Sequence, residues 1–158
     1  LESDYYKGEM LNLLLRNPEH LSLDLVMKTA KTLESDYELA ETLTKVSREN
    51  NLTGNQVEDF LKLANQLDSD YDFGRVMESL LKHQDTTPAL ARRIIVSAKE
   101  NLDSDYELAQ LLLRVNKEIH VRDDARLEEL YLHAAQSLGS EWERGRVLDA
   151  AFGKGKMR

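Results

Sequence analysis

Apolar residues recur along this chain at intervals of three and four, with polar residues between them. In the segment after Ser35, for example, the apolar positions are Leu39, Leu43 and Val46. Steps of four and three place such side chains on one face of a helix. No segment shows the strict alternation of apolar and polar residues that a half-buried strand requires. The pattern therefore predicts helices almost throughout.

A short motif introduces these helical segments. Leucine, any residue, serine, an acid and an aromatic residue follow one another five times, and the five serines lie 32 to 36 residues apart. A regular period of about 20–50 residues is typical of stacked repeats. The predicted repeats are 1–32, 33–66, 67–101, 102–137 and a partial 138–158, in a single repeat domain that covers residues 1–158. The motif serines are Ser3, Ser35, Ser69, Ser104 and Ser140.

The motif also predicts how each helix begins. A serine hydroxyl at an N-cap accepts a hydrogen bond from a free backbone N–H in the first turn, so all five motif serines are predicted structural N-caps. A glutamate three residues later can bond back to the cap residue, which would complete a capping box. The acid that follows each serine is expected to face the positive end of the helix dipole. The predicted boxes are Ser35–Glu38, Ser104–Glu107 and Ser140–Glu143, with Ser69–Asp72 as a shorter version.

Each repeat is predicted to contain a second helix, which starts at its own cap. Thr53 with Gln56 forms another capping box, and Thr87 precedes a proline at the first helical position. Ser22 and Asp123 are the other two predicted starts. Helix pairs of this size must stack on their neighbours to bury their apolar faces. The expected fold is all-α, an α/α superhelix (solenoid) of antiparallel helix pairs with about nine helices.

A column of small residues supports this stacking. Glycine inside a helix costs about 1 kcal/mol relative to alanine, so its recurrence at one repeat position indicates close approach between neighbouring repeats. The column lies five residues after each motif serine and consists of Gly8, Ala40, Gly74, Ala109 and Gly145.

Charge and composition narrow the classes of partner. The net charge is −8, and an acidic chain repels nucleic-acid phosphates, so nucleic acid is not an expected partner. There is no cysteine, which excludes disulfides and thiolate zinc sites. No apolar run approaches the ~20 residues of a membrane span, so none is expected in this chain. The expected partner is a protein or peptide.

The sequence offers no constellation of residues for catalysis. It lacks a nucleophilic cysteine, a G-x-S-x-G turn and a glycine-rich phosphate loop, and the repeated serines have a capping role. Glu129 and His133 lie one turn apart but lack a third metal ligand, and the paired aspartates of "DSD" lack a calcium loop. We therefore expect no enzyme activity, no cofactor and no metal. The other histidines are His20, His83 and His120.

The aromatic residue of the motif is the candidate partner-binding feature, and it occupies the second helical position of every repeat. Two interpretations stay open. The rings could line a binding groove, or each ring could pack against the adjoining helix pair and hydrogen-bond locally; the position of the column inside the capping motif favours the second. The candidate residues are Tyr5, Tyr37, Tyr71, Tyr106 and Trp142.

The strings "LESDYELAETL", "LDSDYDFGRVM" and "LDSDYELAQLL" resemble a bacterial Ser-Asp-Tyr-Glu helical repeat of the HEAT/TPR-like kind. That repeat is found in extracytoplasmic portions of proteins similar to membrane-anchored, antibiotic-sensing zinc metallopeptidases. The resemblance implies an α/α superhelix on the extracytoplasmic side of a bacterial membrane. The zinc-binding motif of those peptidases is absent, so their activity is not implied.

Two functions are expected from these observations together. The first is a non-catalytic protein- or peptide-binding scaffold built from helical repeats. The alternative is a sensory or spacer region of a larger bacterial membrane-associated protein, whose active site would lie outside this chain.

Overall fold

The computed structural model describes residues 2–16 and 23–153, and every regular element in those two ranges is helical. The predicted all-α class is confirmed, with nine α-helices packed against each other in the described residues. One short 3-10 helix, Val121–Asp123, precedes the eighth. The α-helices are α1 (Glu2–Arg16), α2 (Leu23–Ala30), α3 (Asp36–Glu49), α4 (Gly54–Ala64), α5 (Asp70–His83), α6 (Pro88–Asn101), α7 (Asp105–Glu118), α8 (Ala125–Gln136) and α9 (Glu141–Phe152).

The chain divides into two compact units, Leu1–Gln84 and Asp85–Arg158. In the first unit α3 packs against both α1 and α5, and α2 packs against α4. In the second unit α7 packs against α9, and α6 packs against α8. Within each unit, the helix that follows a motif therefore stacks on another such helix, and the second helices of the repeats stack on each other.

The core of each unit consists of the apolar positions that the helical spacing selects. The face of α3 that carries Leu39, Leu43 and Val46 is fully buried. The largest side chains in the cores come from both helix types. They include Phe60, Phe73, Met77 and Leu80 in the first unit, and Ile94, Ile95, Leu112 and Tyr131 in the second.

Four of the five motif serines are N-caps in the structure. The side-chain oxygens of Ser35, Ser69, Ser104 and Ser140 each accept a hydrogen bond from the backbone N–H three residues later, at 3.1–3.3 Å. Ser3 is different, because α1 begins at Glu2 and Ser3 lies inside the helix. The prediction that Ser3 is an N-cap is therefore wrong.

The second helices begin largely as predicted. Thr53 and Gln56 form a complete capping box, with bonds of 3.3 and 3.0 Å in the two directions. Thr87 caps α6 directly before Pro88. The cap of α8 is Asp124 and not the predicted Asp123, because Asp123 belongs to the short 3-10 helix. Ser22, the predicted start of α2, lies outside the described residues.

The capping boxes predicted at Ser35, Ser69 and Ser140 are incomplete, because other acceptors take the backbone N–H groups of these serines. The backbone N–H of Ser35 donates to Oδ2 of Asp4, and the backbone N–H of Ser69 donates to Oδ2 of Asp36. The backbone N–H of Ser140 donates in the same way to Asp105. In each case the acceptor is the motif aspartate of the preceding repeat. The bond that a capping-box glutamate would make is therefore made between repeats.

We call this contact the inter-repeat clamp: a motif aspartate that accepts hydrogen bonds from the next motif serine and the residue before it. Oδ2 of Asp36 lies 2.9 Å from the backbone nitrogen of Asp68 and 2.7 Å from that of Ser69. Asp4 bonds in the same way to Glu34 and Ser35, both at 2.5 Å. Within each unit, the clamp connects the N-terminal turns of successive motif helices directly.

The clamp also affects the ionisation of Asp4, which is almost fully buried. Burial on its own would raise the pKa of this carboxyl. The backbone hydrogen bonds from Ser35 and Glu34, together with the nearby charge of Lys7, outweigh the burial and hold the pKa below its ordinary value. The carboxylate consequently stays charged in the folded chain, and a charged acceptor forms the stronger hydrogen bonds.

The small-residue column has different surroundings at its two ends. A Cβ at Gly8 would collide with the carboxylate of Glu38 on the next motif helix, whereas a Cβ at Gly145 would meet nothing among the described residues. Burial, followed by the nearby Glu41, Glu9 and Asp4, raises the pKa of Glu38. The group next to Gly8 is therefore the carboxylate of Glu38. Glu38 does not accept the backbone N–H of Ser35, because that N–H donates to Asp4 in the clamp.

Gly145→Ala is expected to raise the free energy of unfolding by up to about 1 kcal/mol, since alanine is the better helix former and the site has room. Gly8→Ala should give a smaller gain or a loss, because the Glu38 carboxylate must move. Urea denaturation followed by circular dichroism measures both variants. In a Glu38→Ala background, Gly8→Ala should recover the gain seen at position 145. An equal gain from Gly8→Ala in both backgrounds would contradict this explanation.

Tyr131 is the largest fully buried side chain, and its hydroxyl donates a hydrogen bond to the backbone oxygen of Val147 at 2.9 Å. Burial raises its pKa above the ordinary value of 10.0. Above about pH 10 the unfolded chain loses this proton while the folded chain retains it, so stability should fall as pH rises.

This prediction can be tested with Tyr131→Phe. At neutral pH the variant should lose about 0.5–1.5 kcal/mol because the hydrogen bond is missing. The difference between wild type and variant should then shrink as the pH is raised from about 8 to about 11. Urea denaturation of wild type and variant across that pH range measures this difference in the free energy of unfolding. A difference that stays constant with pH would show that Tyr131 ionises equally easily in both states.

Candidate functional site

The aromatic residues of the motif project into solvent. Four of them occupy the second position of their helix, Tyr5 is the fourth residue of α1, and each of the five is more than half exposed. Such exposure does not fit the interpretation in which the rings pack against the adjoining helix pair. The exposed fractions are 56% for Tyr5, 61% for Tyr37, 68% for Tyr71, 55% for Tyr106 and 73% for Trp142.

The geometry of the motif explains this exposure. Successive residues on a helix point about 100° apart, because one turn contains 3.6 residues. When the motif aspartate is directed toward the next repeat, the aromatic residue after it is directed elsewhere. In α1 this gives Asp4 at 5% exposure and Tyr5 at 56%. The motif thus has one residue that joins the repeats and one that remains available for contact.

In the first unit three tyrosines form a series, which we call the tyrosine row: Tyr5, Tyr37 and Tyr71. The inter-repeat clamp recurs with the same atoms from Asp4 to Ser35 and from Asp36 to Ser69. Equivalent residues of consecutive repeats are therefore related by a similar step. Packed helices lie about 8–10 Å apart, so the three tyrosine positions follow one another at about that interval. Tyr106 and Trp142 are the corresponding residues of the second unit.

An arginine already contacts one ring of the row. The guanidinium carbon of Arg75 lies 5.7 Å from the centre of the Tyr37 ring, within the range of a cation–π interaction. The same guanidinium pairs with Asp72 and Glu41, each at 2.9 Å. Burial tends to lower the pKa of Arg75, but the hydrogen bonds to these two carboxylates outweigh it and raise the pKa.

The surroundings of the row are acidic. Glu34 and Asp68 lie three residues before Tyr37 and Tyr71, and both are exposed. Glu9 lies four residues after Tyr5, and residues four apart share a helix face. Glu41 stands in the equivalent place after Tyr37. The tyrosine row therefore combines exposed aromatic rings with nearby carboxylates.

Helix α1 carries a second exposed apolar surface, formed by Tyr6, Met10 and Leu13. This surface is not repeated. The positions equivalent to Met10 in α3 and α5 are Thr42 and Val76, and both are buried. These positions serve the stacking of repeats, whereas the motif aromatic residue remains exposed in every repeat.

A shallow groove lies between α2 and α4. Its volume is about 210 Å³, and Met27 and Leu63 are among its lining residues, together with Lys28, Lys31 and Lys62. Pockets that hold small organic ligands usually measure about 300–1,000 Å³. The groove is therefore too small to be the preferred candidate site.

The histidines do not gather into a site. His133 contacts Lys99, with 2.8 Å between Nδ1 and Nζ, and His20 lies outside the described residues. In residues 2–16 and 23–153, no three His, Asp or Glu side chains are grouped as a metal ion would require. Of the helices in the same ranges, none combines the length and the hydrophobicity needed to span a bilayer.

Comparison of the chain with models of protein families, with curated proteins and with solved structures gave no match. The functional assignment therefore depends on the chain's own residues, and the exposed aromatic side chain of the motif is the feature that recurs in every repeat.

The sequence located these residues through the motif, but it favoured the wrong environment for them. The motif aspartate is the functional residue that the sequence alone does not reveal, because its position in a single repeat indicates only an interaction with the helix dipole. Its recurrence directly after the serine was the available signal. A dipole interaction tolerates an acid anywhere in the first turn, whereas an aspartate at one fixed position indicates a specific hydrogen bond.

Proposed function

We propose that this chain is a non-catalytic protein- or peptide-binding scaffold, in which the tyrosine row contacts the partner. The observation that carries the proposal is the exposure of an aromatic side chain at the same register position of successive repeats. Stacked repeats present long surfaces on which several repeats can contact one partner. Tyrosine and tryptophan are the residues most enriched at the energetic centres of protein interfaces.

The physical properties of tyrosine support this assignment. Each ring offers a flat apolar surface with a polar tip, and it loses little conformational entropy on binding because it has only two rotatable side-chain angles. These rings contribute little to the fold, since most of their surface is outside the core. Their recurrence is accounted for by contact with another molecule.

Selection from a random peptide library on the immobilised protein tests the proposal. Enriched peptides are expected to bind in solution, and Tyr37→Ala and Tyr71→Ala should each weaken binding by about fivefold or more, the effect typical of interface hot spots. Fluorescence anisotropy with labelled peptides measures these affinities.

The matched control is Glu58→Ala, which changes an exposed residue of α4 away from the row. It should leave both binding and thermal stability nearly unchanged, as surface substitutions usually do. The two tyrosine variants should also keep the wild-type melting temperature. If the selected peptides bind the tyrosine variants as tightly as wild type, the row is not the binding surface.

A further inference from the structure

The tyrosine row offers more than a general binding surface, because its spacing and its charge select a kind of partner. Resting on the proposed function, we infer that the row binds a basic, proline-rich segment in the polyproline II conformation. In this arrangement every third residue of the segment contacts one tyrosine, and basic residues between them face the carboxylates.

The repeat distance of polyproline II matches the step between the tyrosines of the row. Polyproline II has three residues per turn and rises about 3.1 Å per residue, so its side chains repeat on one face every ~9.3 Å. Stacked helices lie about 8–10 Å apart, and the recurrent clamp gives Tyr5, Tyr37 and Tyr71 a similar step. A polyproline II segment laid across the helix N-termini therefore meets one ring per turn. About seven residues of such a segment span the three rings at that rise.

The exposed rings of the row are suited to contact with proline side chains. Exposed aromatic side chains are the surfaces on which proline-rich segments dock, since the proline ring is flat and the segment loses little entropy on binding. Along one face, the side chains of an α-helix repeat about every 5.4 Å and those of a strand about every 6.6–6.8 Å. Of the three conformations, polyproline II is the one whose repeat, ~9.3 Å, lies within the ~8–10 Å step between the tyrosines.

The carboxylates around the row are complementary in charge to a basic segment. The exposed acids around the row are Glu9, Glu34 and Asp68, and Glu41 is partly exposed beside Tyr37. The contact that a partner's arginine would make already exists within the chain. Arg75 lies over the Tyr37 ring while it pairs with Glu41. At Tyr5 the residue in the position equivalent to Arg75 is Glu41 itself, so an arginine from the partner would find there a ring and carboxylates of the same kind.

Three synthetic peptides of twelve residues test the inference by fluorescence anisotropy with the full chain. The first repeats Pro-Arg-Ala four times. The second contains the same residues with the prolines in adjacent pairs, which destroys the period of three. The third repeats Pro-Glu-Ala. The first peptide is expected to bind at least about fivefold more tightly than either of the others, and Tyr37→Ala or Tyr71→Ala should remove most of that preference.

Two further variants complete the test. Glu58→Ala, away from the row, should leave the preference intact. Arg75→Ala removes the arginine that now contacts the Tyr37 ring and Glu41. Binding of the first peptide should therefore tighten by about two- to fivefold, the worth of an exposed cation–π contact. The affinity of the second peptide should increase by less. If the first two peptides bind equally tightly, net charge alone explains the binding and the spacing of the prolines has no effect. That result would overturn the inference. If library peptides without this pattern bind through the tyrosines while Pro-Arg-Ala peptides do not, the inference fails and the proposed function stands.

Discussion

Replacement of Phe73 by alanine is expected to lower the free energy of unfolding of the first unit by about 3–5 kcal/mol. Phe73 lies on α5 and is only 1% exposed. Truncation removes a large apolar side chain from the core and leaves a cavity that the surrounding residues fill only in part. Because α5 stacks on α3, the loss should affect the packing between two repeats and not only one helix. Urea denaturation followed by circular dichroism measures the effect.

Tyr71→Ala is the matched control for this prediction. Tyr71 is an aromatic residue of the same helix, two positions earlier, but it is 68% exposed. Its replacement should change the free energy of unfolding by no more than about 0.5 kcal/mol. Comparison of Phe73→Ala with Tyr71→Ala shows how much of the loss in the free energy of unfolding comes from burial and how much from aromatic character. Comparable losses from both substitutions would show that the motif tyrosines support the fold, which would remove the main argument for the tyrosine row as a binding surface.

The helices and most of their caps could be predicted from the sequence because they depend on local interactions. An apolar period of three and four determines which face of α3 or α5 is buried, whatever the rest of the chain does. A serine or threonine cap bonds to a backbone N–H three residues away, as Ser69 and Thr53 do. Such bonds need no knowledge of the tertiary structure.

The predictions that failed are those in which a distant residue competes for a local partner. Glu38 was expected to bond back to the backbone N–H of Ser35, and the spacing for that bond is correct. Asp4 takes that N–H from the preceding repeat, and the Glu38 carboxylate lies against Gly8 instead. Sequence spacing along one helix cannot show that an acceptor 31 residues away reaches the same donor.

The sequence predicts the positions of the candidate site residues, but it does not predict whether their side chains are buried or exposed. The motif alone places Tyr37 and Tyr71 at equivalent points of successive repeats. Whether such a ring is buried depends on which side of the helix faces the neighbouring repeat, and the clamp determines this. Once Asp36 is known to face the next repeat, the outward direction of Tyr37 follows from the angle between successive residues on a helix.

Asp36→Ala is expected to lower the free energy of unfolding of the first unit by about 1.5–3 kcal/mol, the usual worth of a hydrogen bond to a charged group. The substitution leaves the backbone N–H groups of Asp68 and Ser69 without their acceptor. Solvent can reach part of this contact, so the lower half of the range is expected. Denaturation of wild type and variant under the same conditions measures the loss. Asp68→Ala, which removes an exposed acid but keeps the N–H donors, should have almost no effect.

Asp36→Glu distinguishes the clamp from a simple helix-dipole effect. Glutamate keeps the negative charge in the first turn of α3, where it still interacts favourably with the helix N-terminus. Its additional methylene group moves the carboxylate away from the two N–H groups, which Asp36 reaches at 2.9 and 2.7 Å. If the aspartate acts through the clamp, Asp36→Glu should cost nearly as much as Asp36→Ala. If the glutamate variant is as stable as wild type, charge alone is sufficient, and the aspartate does not connect one repeat to the next.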